Sequence, residues 1–327
     1  MYLRMKVLYF IQTHKNPEQI YRLVKIIRRS SPESYILVSH DFTGCNLDTK
    51  LIKNLPGVEV LRLNGKGGRG DFSMIQGYLD AVEWLLSRNI KFDWLINLSG
   101  QDFPTQPLSR IEQFLARTRY DGFLDYFEAF SDRDRNPWTI EEGPNRYLYQ
   151  YWRSGICVSS RSLIGKILNR LKSIVNNIQP FIRVYLCFDS LMIGWRAKNH
   201  PFNENFICYG GYYFNTLSRE CVQFIYDFYR KNTQVVEYYK NTCVPVESFI
   251  QTVLINSKRF NLCNDSKRYF DYYKCQDGSP RTLTVQDYPT LIKNSIHFAR
   301  KFELTRDTKI LDKLEARIIE QNLIENN

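Results

Sequence analysis

The chain has 327 residues, 43% hydrophobic and 24% charged, enough to bury a sizeable core in one large domain or two small ones. Lysine and arginine outnumber aspartate and glutamate by 45 to 34, a net charge of +11, which favours polyanionic partners such as nucleic acid, an anionic membrane surface or a phosphate-bearing substrate. The basic residues are spread out rather than run together, which argues against a nucleic-acid-binding tail, and no stretch of about 18 apolar residues is present to span a membrane.

The predicted elements alternate from the start. Val7 to Gln12 reads as a buried parallel strand. Asn16-Pro17 then opens an amphipathic helix through Ile20, Leu23, Val24, Ile26 and Ile27, with Asn16 as N-cap and Pro17 at the first helical position. Tyr35 to Ser39 gives a second strand and Val58 to Leu63 a third. A helix is expected between Met74 and Leu86, a fourth strand from Phe92 to Leu98, and a helix from Pro107 to about Arg117. This rhythm predicts an α/β fold with a mostly parallel sheet covered by helices on both faces. Ligands of such sheets bind beyond the carboxyl ends of the strands. Those ends carry Gln12-Thr13-His14, Ser39-His40-Asp41, Gly65 to Asp71, and Ser99-Gly100-Gln101-Asp102.

Beyond residue 127 the pattern loosens. Ser131 to Tyr151, rich in charge, proline and aromatics, reads as a long loop. Helical spacing returns at Leu163 to Val175, Ser218 to Tyr229 and Val246 to Ile255, and a last helix is expected from Asp307 to Leu323. The eight cysteines show no Cys-x-x-Cys spacing, so neither a zinc site nor a redox motif is indicated. Those at 157, 187 and 208 sit in apolar stretches and read as buried free thiols. The N-terminus lacks an apolar h-region and a small-residue cleavage site, so the expected localisation is cytoplasmic, with peripheral contact at an anionic inner membrane.

Three segments carry the chemistry: Leu95-Ile96-Asn97-Leu98-Ser99-Gly100-Gln101-Asp102-Phe103-Pro104, Val244-Pro245-Val246-Glu247-Ser248-Phe249, and His297-Phe298-Ala299-Arg300-Lys301-Phe302. Together, in this order and spacing, they resemble the core-2/I-branching β-1,6-N-acetylglucosaminyltransferase and peptide O-xylosyltransferase family, over a likeness from Val7 to about Leu311. The resemblance implies a GT-A-type, Rossmann-like fold and an inverting, metal-independent transfer from a UDP-sugar to a glycan hydroxyl, GlcNAc or xylose being the sugars in view. Glu247 matches the family's catalytic base. Arg300 and Lys301 match the pair that binds the diphosphate, and Asp102 an acidic position near the donor sugar. Asp41, Thr13 and His14 correspond to the nucleotide-binding edge, and the glycine-rich stretch with Arg69 to the donor-site rim. Gly211, Tyr212 and Tyr213 fall at the acceptor side, Tyr213 replacing a residue that is polar in relatives.

Elementary chemistry supports the same residues. An inverting transfer is one in-line displacement, and the attacking hydroxyl must lose its proton to a carboxylate within about 3 Å. Glu247, just inside a predicted helix start, sits where the helix dipole favours its charged form. The leaving diphosphate gains negative charge, which fixed cations can stabilise in place of a metal ion, arginine adding bidentate geometry. The one Asp-x-Asp triplet, Asp132-Arg133-Asp134, lies in the charged loop and reads as a solvated turn. Adjacent Arg300 and Lys301 would point to opposite faces of a regular strand, so both reach one phosphate group only from a loop or distorted turn. Gly67 to Asp71 lacks the Gly-Lys-Ser/Thr ending of a P-loop.

The sequence thus predicts a single domain, 1–327, with a nucleotide-binding half (1–126), an acceptor-binding and catalytic half (127–305) and a C-terminal helix (306–327). No cofactor or metal is expected. The expected partners are a UDP-sugar donor and a glycan or lipid-linked oligosaccharide acceptor, and no nucleic acid. Two other classes stay open: a basic, aromatic-rich nucleic-acid-binding protein, and a non-catalytic sugar-binding module on the same fold.

Overall fold

The structure, a computed structural model, describes residues 5–62, 68, 70–132, 136–159, 162–273, 278–293 and 295–326. The chain begins with β1 (Val7–Thr13), α1 (Pro17–Ser30), β2 (Tyr35–His40), α2 (Lys50–Lys53), β3 (Val58–Arg62), α3 (Ser73–Ser87) and β4 (Trp94–Ser99). It continues through β5 (Asp102–Pro104), α4 (Leu108–Arg117), β6 (Gly122–Leu124), β7 (Phe127–Glu128), α5 (Glu142–Tyr147), β8 (Tyr149–Cys157) and α6 (Leu163–Ile178). The hairpin β9 (Ile182–Cys187) and β10 (Ser190–Arg196) leads to β11 (Tyr209–Gly210), β12 (Thr216–Ser218), α7 (Arg219–Lys231) and α8 (Thr233–Lys240). A 3-10 turn, Pro245–Glu247, precedes α9 (Phe249–Asn256), and β13 (Leu262–Asn264), β14 (Arg268–Tyr269), α10 (Tyr288–Leu291), β15 (Phe298–Arg300) and α11 (Lys309–Asn326) complete the order.

Seven strands form the central sheet in the order β13-β6-β12-β4-β1-β2-β3. Strands β1 to β4 are parallel; β12 runs antiparallel to both of its neighbours. The expected α/β class, with a mostly parallel central sheet, is the one observed. Strand β1 is apolar on both faces because the sheet separates two cores. Val7, Tyr9 and Ile11 join α1, α4 and α11 on one side, and Leu8 and Phe10 join α3, α7 and α9 on the other. Strand β12 inserts between β4 and β6, so the central sheet draws on residues from both sides of position 126.

Several local expectations need correction. Asn16 occupies the N-cap position of α1 but its side chain makes no cap bond; it adopts left-handed backbone (φ 56°), and its amide donates to Glu303 Oε2 at 2.6 Å. A long-range carboxylate has outcompeted the local cap. The segment expected as a loop from Ser131 to Tyr151 contains α5 and the start of β8, because Tyr147, Tyr149 and Tyr151 are buried in one core. Cys187 and Cys208 are buried free thiols as expected, whereas Cys157, near the end of β8, is exposed.

Candidate active site

The carboxyl ends of β1, β2 and β4 open into a cleft of about 330 Å³. Gln12 to Lys15, Asp41, and Ser99 to Gln101 line it from the sheet edge, and Ser73 and Met74 bring the N-terminus of α3 to the same wall. Glu247, Arg300, Lys301, Tyr212 and Tyr213 also line it, so the structure unites residues separated by up to 289 positions in the sequence.

Glu247 is not inside an α-helix. It ends the 3-10 turn Pro245–Glu247, ahead of the α9 cap residue Ser248. The turn is launched by Val244, a β-branched residue held at φ 52°, a conformation that costs on the order of 1–3 kcal/mol and persists only where the surroundings impose it. Those surroundings are explicit: the Val244 amide donates to Gly70 O at 3.1 Å, and its carbonyl accepts from the Tyr147 hydroxyl at 3.1 Å. The Glu247 side chain is then aimed by Arg146, whose Nη1 donates to Oε2 at 2.5 Å. No second hydrogen bond to the carboxylate is made among the described residues, which leaves Oε1 without a protein partner there.

The two other motifs meet each other directly. Strand β15 pairs antiparallel with β5, setting Arg300 opposite Asp102, Ala299 opposite Phe103 and Phe298 opposite Pro104. Asp102 Oδ1 lies 3.5 Å from Arg300 Nε, and Oδ2 accepts from the Ser99 amide. The Asp102 side chain is 1% exposed, so it does not line the cleft; it holds Arg300 rather than meeting a donor itself. The guanidinium also stacks over Phe214, 4.0 Å from the ring centre. Among the described residues Arg300 makes no side-chain hydrogen bond; Nε is buried facing Asp102, and the N–H groups of its two Nη atoms are unspent. Arg300 closes β15, Lys301 follows outside the strand, and the bond between them is cis. Strand alternation ends with Arg300, and both residues line the cleft.

Comparison with known proteins shows what the chain is similar to. Residues 7–141 match the Core-2/I-Branching enzyme family model. That stretch, about two fifths of the chain, is similar to the Core-2/I-Branching enzymes. The resemblance read from the sequence therefore holds. The chain is 25% identical over 311 residues to the beta-glucuronosyltransferase GlcAT14B of Arabidopsis thaliana, covering 94% of this chain and 61% of the plant protein. It is 23% identical to the xylosyltransferase oxt of Drosophila pseudoobscura pseudoobscura, covering 91% of this chain and 31% of the insect protein. Likeness to xylosyltransferase 2 of Canis lupus familiaris is 24%, over 95% of this chain and 33% of the dog protein. The chain thus spans about three fifths of the plant relative and about a third of the two animal ones. All three relatives are named as glycosyltransferases.

The remaining predicted site residues divide between the cleft wall and its supports. Thr13 is buried, and its hydroxyl lies 2.7 Å from His40 Nδ1. Because His40 Nε2 faces the Cys45 carbonyl at 2.9 Å, Nε2 carries the proton and Thr13 donates to Nδ1. Asp41 accepts from the Thr43 amide at 2.8 Å and hydroxyl at 2.6 Å while still reaching the cleft wall. Burial pushes His14 below its ordinary pKa, and Lys15 beside it adds to the shift. The single proton of the Tyr213 hydroxyl has Gln12 Oε1 and Met74 O as acceptors, so its phenol is satisfied internally and its ring serves as cleft wall. Gly211 does not line the cleft. A Cβ there would lie 2.0 Å from the Asp125 carbonyl oxygen, and its amide donates to Glu247 O at 2.8 Å; it is a spacer that seats the Glu247 turn. Arg69, Arg133 and Asp134 lie outside the described residues, and Asp132 is exposed.

Sequence reasoning missed five contributors. Arg146, which bridges Glu247 and Glu142 and stacks 4.3 Å over Trp138, lay in the segment read as a loop. Lys15, paired to Glu303 at 2.7 Å, adds a cation to the cleft wall. Phe270 and Tyr272 extend Tyr212 into an aromatic wall, with the two tyrosine rings 5.7 Å apart and nearly parallel. Arg268 is buried behind the site, donating to Asn97 O and Asn215 O. Burial draws its pKa down to about 10, against the pull of Asp102 and Asp125.

Proposed function

We propose that the chain is an inverting glycosyltransferase that moves a sugar from a UDP-sugar to a glycan hydroxyl without a metal ion. The observation that carries this reading is Arg300, a cation lining the cleft with the N–H groups of its two Nη atoms unspent, held by a buried carboxylate beneath and an aromatic face alongside. A preorganised donor of this kind is what a leaving diphosphate needs as its charge develops. Lys301 adds a point charge, and Glu247, aimed by Arg146 on the same cleft, accepts the proton of the attacking hydroxyl through Oε1.

The sheet edge at Thr13, His14 and Asp41 takes the nucleotide, and Tyr212 with Phe270 and Tyr272 offers ring faces to a sugar. The names of the relatives bring glucuronic acid and xylose into view as transferred sugars, beside GlcNAc. The first of these names places UDP-glucuronic acid on the test.

The experiment is a thermal-shift screen against UDP-GlcNAc, UDP-xylose, UDP-glucose, UDP-galactose and UDP-glucuronic acid, followed by UDP release from the best donor with EDTA present. Stabilisation by one donor with undiminished turnover in EDTA is expected. Loss of turnover on chelation, restored by a divalent ion, would overturn the metal-free mechanism. UDP binding without any turnover would favour the sugar-binding module instead.

A further inference from the structure

Helix α6 presents its apolar side to solvent. Leu163, Ile164, Ile167, Ile174 and Ile178 fall within about 100° of the helix circumference, a width that ordinarily faces a core. Here that stripe is exposed, Leu163 and Ile178 each at 76%. The side that meets the protein is small or polar. Gly165 is buried, Asn176 exchanges hydrogen bonds of 3.0 and 2.9 Å with the Val184 backbone of β9, and the Lys172 ammonium lies over the Tyr185 ring at 5.2 Å.

Apolar side chains are exposed on the neighbouring three-stranded sheet β8-β10-β9 as well. Phe181, 69% exposed, joins α6 to β9. Trp152 pairs with Ile193 across β8 and β10, so it shares a face with Trp195 two residues along, and both tryptophans are exposed. The other face of that sheet holds Tyr149, Tyr151, Met192 and Cys187 in the core. Single exposed apolar residues need no explanation, but a whole helix stripe, with two exposed tryptophans on the neighbouring sheet, marks a surface that something covers.

Charge identifies the cover. From Tyr149 to Phe202 the chain has eight lysines and arginines against one acidic residue, Asp189. Helix α6 carries no carboxylate, and Lys166 and Arg170 border its apolar stripe. Nucleic acid would use the cations and leave the apolar stripe wet. A lipid surface uses both: acyl chains take the isoleucines, the headgroup level takes tryptophan, and anionic headgroups take the cations. We propose that α6 and the outer face of β8-β10-β9 form an interfacial surface that docks on an anionic bilayer, with the helix lying in the membrane plane. None of the described helices is long and apolar enough to cross a membrane, so the contact is with one leaflet. The β9–β10 turn, where Phe188 and Asp189 both have positive φ, delivers Phe188 to the cleft. Docking surface and cleft therefore share one hairpin. The docking stands whatever reaction the cleft performs.

The test is co-sedimentation of the full chain with vesicles of phosphatidylcholine alone and of phosphatidylcholine mixed with phosphatidylglycerol, read together with tryptophan emission. The wild-type chain should pellet with the mixed vesicles, with a blue shift, and much less with phosphatidylcholine. Ile164→Glu/Ile167→Glu should weaken that binding by at least about tenfold with an unchanged melting temperature, since neither side chain is in the core. Lys166→Gln/Arg170→Gln, which leaves the stripe intact, should weaken it by about 10- to 30-fold, so the test survives even if the first variant folds poorly. A wild-type chain that stays in the supernatant with mixed vesicles would overturn the proposal, as would either variant binding as well as wild type. A dimer in sedimentation equilibrium that Ile164→Glu/Ile167→Glu dissociates would assign the stripe to a second copy and overturn it too.

Discussion

Replacing Glu247 with glutamine separates the chemistry of the carboxylate from its part in the fold. The substitution keeps size and shape but removes the charge and the ability to take a proton. Its effect on stability follows from the ion pair: two unit charges about 4 Å apart at an effective dielectric near 20 attract by about 4 kcal/mol. The Glu247 side chain is 24% exposed and Arg146 12%, so solvent screening and the cost of desolvating both partners leave roughly 1–2 kcal/mol. The melting temperature should therefore fall by only about 2–8 °C. Turnover, in contrast, should drop by roughly 10²–10⁴, the usual worth of a general base. UDP affinity, measured by calorimetry, should stay within about threefold, because the base does not touch the diphosphate in this mechanism. Arg146→Met provides the control: it leaves Glu247 chemically able but unaimed, beside Glu142, and should lower kcat by about 10- to 100-fold with UDP affinity unchanged. A Glu247→Gln protein that turns over within about threefold of wild type would refute the base assignment. A loss of UDP affinity as large as the loss of turnover would refute the division of labour between Glu247 and Arg300.

Three further outcomes are expected. Arg300→Ala should weaken UDP binding by about 10- to 100-fold, the range of one or two charge-assisted hydrogen bonds, with Arg300→Lys recovering only part; UDP titration calorimetry decides, and unchanged affinity would move the diphosphate elsewhere in the cleft. Burial, with Arg268 and Lys267 adding to it, pushes His297 down to about 3 from 6.5, so between those values the unfolded chain binds the extra proton and stability falls as the pH drops. The slope approaches 1.4 kcal/mol per pH unit, and denaturant titrations from pH 7 to 4 should show it flattened in His297→Phe; equal slopes in both proteins would refute the assignment. Gly211→Ala sets its new methyl against the Asp125 carbonyl at 2.0 Å, which should cost about 2–4 kcal/mol and disturb the Glu247 turn, seen as a lower melting temperature with lower turnover. An unchanged melting temperature would show that the backbone there yields.

The sequence by itself determined the α/β alternation, the polar strand ends as one binding edge, and the three motif segments. Each of these is written locally, as the period of apolar residues or as residue types within about ten positions, and local patterns survive folding because they reflect which side of an element is buried. Tertiary structure alone decided what joins those segments. Asp102 faces Arg300 only because β5 pairs with β15, and Arg146 reaches Glu247 across 101 positions, contacts for which no local period exists. The same limit explains α6: its spacing announces an apolar face, yet periodicity cannot say whether that face looks inward or outward. The packing against β9 decides, and it turns the face to solvent because Asn176 and Lys172, not the isoleucines, meet the sheet edge.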